Sequence, residues 1–295
     1  MHKVSAKRAS GLAGWSDMLG GAEAWLSDQG MDQRFVRTTC PASGLSFLAG
    51  GEGAPVVLVH GLGWDGGRLW AAQMGTLADA GYRVIVPDLR GTGASPPLRE
   101  SVSTRDLARD LALLVQTQGA EAPALVGFSM GAMVVAGLAA TCAPRGVVLA
   151  CGGLVATAEG AIATEAMLAR AAGLGPVAFA QEQAEAIFGP SFAAAQPDAV
   201  ADFIGWRAAM DQESLHHAFR APYGQDLRAV VRGLACPVHV IAADQDRFLR
   251  LAEVAALSGE IGAASMTVIE DSGHMAPVEQ PAAFNAALMQ ALGGM

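Results

Sequence analysis

Residues Gly127-Phe128-Ser129-Met130-Gly131 interrupt an apolar run, ALVGFSMGAMVV, over 124–135. A serine between two glycines, where a buried strand gives way to a helix, is a candidate nucleophile. Small neighbours let the chain pass through a tight turn that lifts the hydroxyl above the carboxyl edge of the sheet. The same turn directs backbone N–H groups, that of Met130 first, at whatever the hydroxyl attacks. In a chain with 36 glycines a GxSxG match also arises by chance. The apolar strand before this one and the apolar helix after it set it apart.

An unassisted serine is a weak nucleophile, so a base and an orienting acid must follow, in the order Ser, Asp or Glu, His. There are six histidines. His2 lies in the N-terminal tail, His239 within a predicted strand, and His216 and His217 in a helical insertion. His60 ends a strand and is expected to be structural. His274 alone follows the last predicted strand, in Asp271-Ser272-Gly273-His274, at the sheet edge that carries Ser129. It is the preferred base, with His217 reaching down from the insertion as the second choice. The acid should follow the preceding strand at that edge, where VIAADQDRF offers Asp244 and Asp246. Asp246 lies further into the loop and is chosen over Asp244, while Asp271 is expected to shape the histidine loop. Opposite the serine, His60-Gly61-Leu62-Gly63-Trp64 is a glycine-flanked turn that aims a second N–H at a developing oxyanion. Leu62 is the simplest donor, and Gly63 replaces it if the loop turns one residue later.

These residues must be positioned by an alternation of strands and helices. Short β-like runs over 35–40 and 44–50 predict a hairpin, and APVVLVHG (54–61) an apolar strand. A helix over 68–80 leads to a strand over 82–88. The stretch 103–119 predicts a helix whose apolar positions are Leu107, Leu111, Leu114 and Val115, closed by Gly119. Strands follow over 124–128 and 145–153. Such alternation implies an α/β fold with a mostly parallel central sheet of about eight strands covered on both faces. Between 157 and 232 the rhythm stops. That segment is rich in Ala, Met, Phe and Glu, is broken at Gly189-Pro190 and Pro197, and predicts an inserted all-helical cap. The rhythm returns at 237–244, a helix near 250–260, a strand over 265–271 and a last helix from Pro281. The organisation expected is a core of residues 34–156 and 233–295, a cap of 157–232, and an N-terminal helical extension of 1–33. In that extension Trp15, Met18, Leu19, Ala22, Trp25 and Leu26 fall at helical spacing.

Hydrophobic residues make up 52% of the chain and charged ones 16%, which excludes a disordered class. Nineteen basic against 28 acidic side chains give a formal charge of −9 without a basic cluster. Neither a nucleic-acid partner nor an anionic membrane surface is expected. The N-terminus lacks the apolar core of a signal peptide, and no run reaches the roughly 18 to 20 apolar residues of a membrane span. Cys40, Cys142, Cys151 and Cys236 are scattered, with no metal-like spacing. A cytoplasmic protein with no metal and no cofactor is expected. Oligomeric state is not encoded in any readable pattern.

With these pieces placed, the chain from about Phe35 onward resembles the α/β-hydrolase fold superfamily. Five motifs carry the likeness in order: HGLG (60–63), PDLRGTGAS (87–95), GFSMG (127–131), AADQDRF in the acid loop, and GHMAPVEQP (273–281). The resemblance implies Ser129 as nucleophile, Asp246 as acid, His274 as base, and Leu62 and Met130 as N–H donors. It gives Asp88, Arg90 and Glu279 structural roles. It also implies hydrolysis of an ester or lactone of a small, largely apolar molecule through an acyl-enzyme. Two other readings remain open. One is cleavage of a carbon–carbon bond in a vinylogous diketone; such substrates carry a carboxylate, so a pocket-facing arginine, Arg207 or Arg220, would favour it. The other is a low-turnover ligand-binding protein of the same fold. Trp64, Phe188 and Trp206 are expected among the pocket walls, although an amphipathic cap helix also buries apolar residues simply as core.

Overall fold

The computed structural model describes residues 32–295; the expected N-terminal helix falls outside the described residues. Ten strands are assigned: β1 (Val36–Thr39), β2 (Ser46–Gly50), β3 (Ala54–Val59), β4 (Tyr82–Pro87), β5 (Ala124–Phe128), β6 (Gly146–Ala150), β7 (Val155–Ala156), β8 (Gln225–Asp226), β9 (Val238–Ala243) and β10 (Ser265–Ile269). Eight of them form one sheet in the order β1-β2-β4-β3-β5-β6-β9-β10. The first two make the antiparallel hairpin expected from sequence, β2 runs antiparallel to β4, and the remaining pairs are parallel.

The central strands read as unbroken apolar runs because both faces are covered. Successive side chains of a strand point to opposite faces, so each strand feeds two cores. Leu58, Val126 and Val148 join Trp70 and Phe284 on one face. Val57, Leu125 and Val147 join Leu111 and Val135 on the other. The helix Thr104–Thr117 covers that second face with all four of its predicted apolar positions buried. Its start is fixed by a capping box, in which Ser103 accepts from the Asp106 N–H while the Asp106 carboxylate accepts from the Ser103 N–H.

Two elements differ from the pattern read in the sequence. The single helix expected over 68–80 is two, Gly66–Leu69 and Ala71–Asp79. The break falls at Trp70, whose ring is fully buried against Phe128 and Phe284. Periodicity along the segment could not reveal that anchoring. The insertion between β6 and β9 runs through six helices, Ala158–Leu174, Pro176–Ile187, Pro190–Ala195, Pro197–Ala209, Gln212–Arg220 and Arg228–Arg232. Three begin on proline, which suits the first helical turn because its missing N–H would be unpaired there anyway. The insertion is not purely helical, however: β7 and β8 pair as a two-residue antiparallel ribbon at its base. Runs that short carry no readable alternation.

Leu111 is fully buried between the helix Thr104–Thr117 and the sheet. Leu111→Ala should lower the unfolding free energy by about 3 kcal/mol through lost transfer energy and a residual cavity. Urea unfolding with an unchanged slope and a lower midpoint would show it.

Candidate active site

Ser129 sits between β5 and the helix Met130–Cys142 with φ +53° and ψ −121°, a conformation that non-glycine residues rarely adopt. Its surroundings dictate this. A Cβ on Gly127 would lie 2.3 Å from the Gly131 carbonyl oxygen, and one on Gly131 would lie 2.5 and 2.6 Å from the carbonyl oxygens of Val59 and His60. Both glycines are therefore required by backbone packed against backbone. Ser129 N–H donates to the Ala150 carbonyl at 2.9 Å, which ties the turn to β6.

The loop after β10 brings His274 to the serine. Its Nε2 stands 2.9 Å from Ser129 Oγ, and its Nδ1 stands 2.8 Å from Asp246 Oδ2 in the loop after β9. With the carboxylate as acceptor, Nδ1 carries the proton and Nε2 faces the hydroxyl as acceptor. The other carboxylate oxygen, Asp246 Oδ1, accepts from the N–H groups of Phe248 at 2.8 Å and Leu249 at 3.0 Å. These bonds lock its orientation. Asp244 instead accepts from Ser272 N–H at 3.1 Å, and Asp271 accepts from the Gln245 amide at 2.9 Å. Both build loops. His217 lies 3.5 Å from Ser101 and does not line the cavity onto which Ser129 opens. His60 is wholly buried: Leu89 N–H donates to its Nε2, so Nδ1 donates to the Gly61 carbonyl. Burial holds its pKa below the ordinary histidine value. It braces the loop without facing the cavity.

Ser129, His274, Leu62 and Met130 open onto one cavity of about 380 Å³. Neither the Leu62 nor the Met130 N–H is taken by another group among the described residues. Gly63, the alternative donor, adopts φ +63°. Of the three expected wall residues, Trp64 lines the cavity. Phe188 and Trp206 do not, and this corrects the sequence reading. Phe188 stacks on Phe192 at 5.2 Å and meets Phe203 edge-on, while Trp206 packs on Trp64 at 5.1 Å. Phe188 is buried in the apolar cluster that the insertion shares with the sheet, and the half-buried Trp206 packs against that cluster. Of the two arginines named from the sequence, Arg207 lines the cavity, as do Gln183 and Tyr223, which the sequence reading did not single out. Nothing in the spacing of a helical segment marks which polar residue turns inward.

Glu279 has a part that local sequence did not disclose. Its buried carboxylate accepts from Gly273 N–H at 2.8 Å, Met275 N–H at 3.1 Å and Gly189 N–H at 3.0 Å. It thus clamps both sides of His274 and the insertion together. His274 N–H adds a bond of 2.8 Å to the Ile187 carbonyl at the end of an inserted helix. Burial pushes the Glu279 carboxyl up, and the three N–H donors oppose that push. Glu279→Gln would turn an NH₂ group toward donors. We expect it to cost about 2 kcal/mol of stability and to lower kcat/KM by loosening the histidine loop, measured by chemical unfolding beside ester kinetics.

A family model described as the alpha/beta hydrolase family matches residues 56–287. RutD of Variovorax paradoxus, named as a candidate carbamate hydrolase, is 28% identical over 246 residues, which span 82% of this chain and 92% of that protein. The structure of a thermophilic esterase from Thermogutta terrifontis, with malate bound, is 28% identical with a TM-score of 0.78, covering 88% of this chain and 98% of the esterase. The enol-lactonase of Burkholderia xenovorans shares the fold at 23% identity and a TM-score of 0.76, over 88% of this chain and 100% of the lactonase. With a family model spanning most of its length and an eight-stranded, mostly parallel sheet beneath the serine turn, this chain belongs to the alpha/beta hydrolase family.

Proposed function

We propose that this protein is a serine hydrolase that cleaves an ester or lactone of a small molecule through an acyl-enzyme. The observation that carries this reading is the unbroken hydrogen-bond path from Ser129 Oγ through His274 to Asp246. His274 Nε2 takes the hydroxyl proton as Ser129 Oγ attacks the carbonyl carbon, and the C=O π electrons move onto oxygen. Asp246 keeps the imidazole in the tautomer that accepts this proton, then stabilises the imidazolium that results. The tetrahedral oxyanion accepts from the N–H groups of Leu62 and Met130, fixed dipoles that need no rearrangement as charge develops. Collapse expels the alkoxide, which takes the proton from His274. Water then repeats the sequence on the acyl-enzyme, with His274 as base, and frees the acid and Ser129.

Support comes also from the names of relatives, which include an esterase, an enol-lactonase and a candidate carbamate hydrolase. Arg207 at the cavity favours a second reading, in which the same side chains split a carbon–carbon bond of a vinylogous diketone. Arg220 adds nothing to it, because its guanidinium pairs with Glu165 at 2.6 Å.

A fluorophosphonate should add once to the intact protein, and Ser129→Ala and His274→Ala should both abolish the adduct in the mass spectrum. Ser129→Ala should also lower kcat by several orders of magnitude, and Asp246→Asn by about 10⁴-fold through the wrong imidazole tautomer. Near-normal turnover by Ser129→Ala would overturn the assignment. An unlabelled but folded wild type would favour a ligand-binding protein of this fold.

A further inference from the structure

Arg207, on the helix Pro197–Ala209, is 4% exposed. Its Nε and Nη1 are buried without an acceptor among the described residues. The contrast with its neighbours is sharp. Arg170 pairs with Glu182, Arg220 with Glu165 and Arg228 with Asp226, each at 2.6 Å. In a chain with nine more acidic than basic residues, an unpaired buried cation is not explained by a shortage of carboxylates.

What surrounds the guanidinium is aromatic wall and backbone. Its carbon lies 5.2 Å from the Phe203 ring and 6.0 Å from the Trp206 ring. Ring faces partly offset desolvation of the cation but accept none of its five N–H donors. On another side it presses on the oxyanion loop: a Cβ built on Gly63 would lie 1.7 Å from Nη1. The absent side chain of Gly63 is thus the space the guanidinium fills. Burial with no counter-charge pushes the Arg207 pKa down to about 9. The side chain lines the same cavity as Ser129 and His274. A buried arginine with no acceptor among the described residues, lining the cavity that Ser129 and His274 share, is suited to receive an anionic group from that cavity.

We propose that Arg207 binds a carboxylate of the substrate, so that the protein acts on carboxylate-bearing acyl compounds in preference to neutral ones. The choice of substrate rests on the hydrolase reading; the binding of the anion does not. Reach narrows the class. With consecutive Cα atoms about 3.8 Å apart, Nη1 stands within roughly 8 Å of the Leu62 N–H. A carboxylate on Arg207 and a carbonyl at Leu62 therefore belong to one short molecule, the two groups separated by a few carbon atoms. Half-esters and lactones of short dicarboxylic acids meet this requirement.

The test starts on the wild type, so that it does not depend on a variant folding. Calorimetric titration with glutarate and with its neutral diamide, glutaramide, should show glutarate binding at least about tenfold more tightly. Equal binding overturns the proposal. Kinetics then compare monomethyl glutarate with methyl pentanoate, which lacks the carboxylate. Wild type should prefer the anionic ester by at least about tenfold in kcat/KM. Arg207→Met should erase that preference chiefly through KM, since a remote carboxylate is held alike in ground and transition states. A merely structural role would slow both esters equally, and that result counts against the proposal. If fluorophosphonate labels Ser129 but glutarate shows no advantage over glutaramide, the anion site falls and the hydrolase reading stands. If neither ester is turned over and no adduct forms, yet Arg207→Met loses glutarate binding, the hydrolase reading falls and the anion site stands.

Discussion

A serine at φ +53° between a buried strand and a buried helix is held there only because its neighbours leave it no other course. The strain of such a backbone is on the order of 1–3 kcal/mol. It is offset by the sheet, whose two central strands fix the ends of the turn. Gly131 lies against the carbonyls of Val59 and His60, and Gly127 against the carbonyl of Gly131, so β3, β5 and the helix after Ser129 meet backbone to backbone. Gly61 completes the contact, since a Cβ there would lie 2.9 Å from Ser129 Cβ. The serine turn and the loop carrying Leu62 are thus one packed unit. Everything placed around the hydroxyl is placed relative to it.

The two loops that reach this unit from the far side of the sheet are held differently, by buried acceptors rather than by close packing. Asp246 accepts two backbone N–H groups of its own loop besides the imidazole, and Glu279 accepts three from two separate segments. Ionised acceptors in a dry site make strong bonds with backbone amides. Glu279 is the more far-reaching, because one of its donors, Gly189, belongs to the insertion. Gly189 and Gly273 approach so closely that a Cβ on either would meet the other's backbone nitrogen. Loosening of the insertion is therefore felt at His274, and the position of its imidazole depends on a helix more than 80 residues away in sequence.

The insertion divides its labour by residue type. Its aromatic residues close on one another, with Phe188, Phe192, Phe203 and Trp206 packed into a small core that reaches Trp64 in the loop after β3. Its outward charges form surface ion pairs, worth little individually. Arg207 belongs to neither group. It lies against the aromatic core yet faces the substrate cavity. The polar character of the site is thus supplied by the insertion, while the sheet edges supply the hydroxyl, imidazole and carboxylate.

The α/β class, the strand–helix order and the residues Ser129, His274 and Asp246 that the fold joins in a hydrogen-bonded row were legible in the sequence, because each leaves a local mark. Strands buried on both faces read as apolar runs, a strained turn demands glycine on either side, and loops at the sheet's carboxyl edge follow their strands directly. The break at Trp70, the β7–β8 ribbon, the packing of Phe188 and Trp206 with the apolar cluster that the insertion shares with the sheet, and the reach of Glu279 were decided only in three dimensions. So was the inward turn of Arg207. In each case the deciding contact joins segments distant in the chain, and a helix of mixed composition does not record which of its faces will meet a cavity. Sequence periodicity encodes how each element buries itself; which polar group is left facing the substrate depends on how the elements close around it.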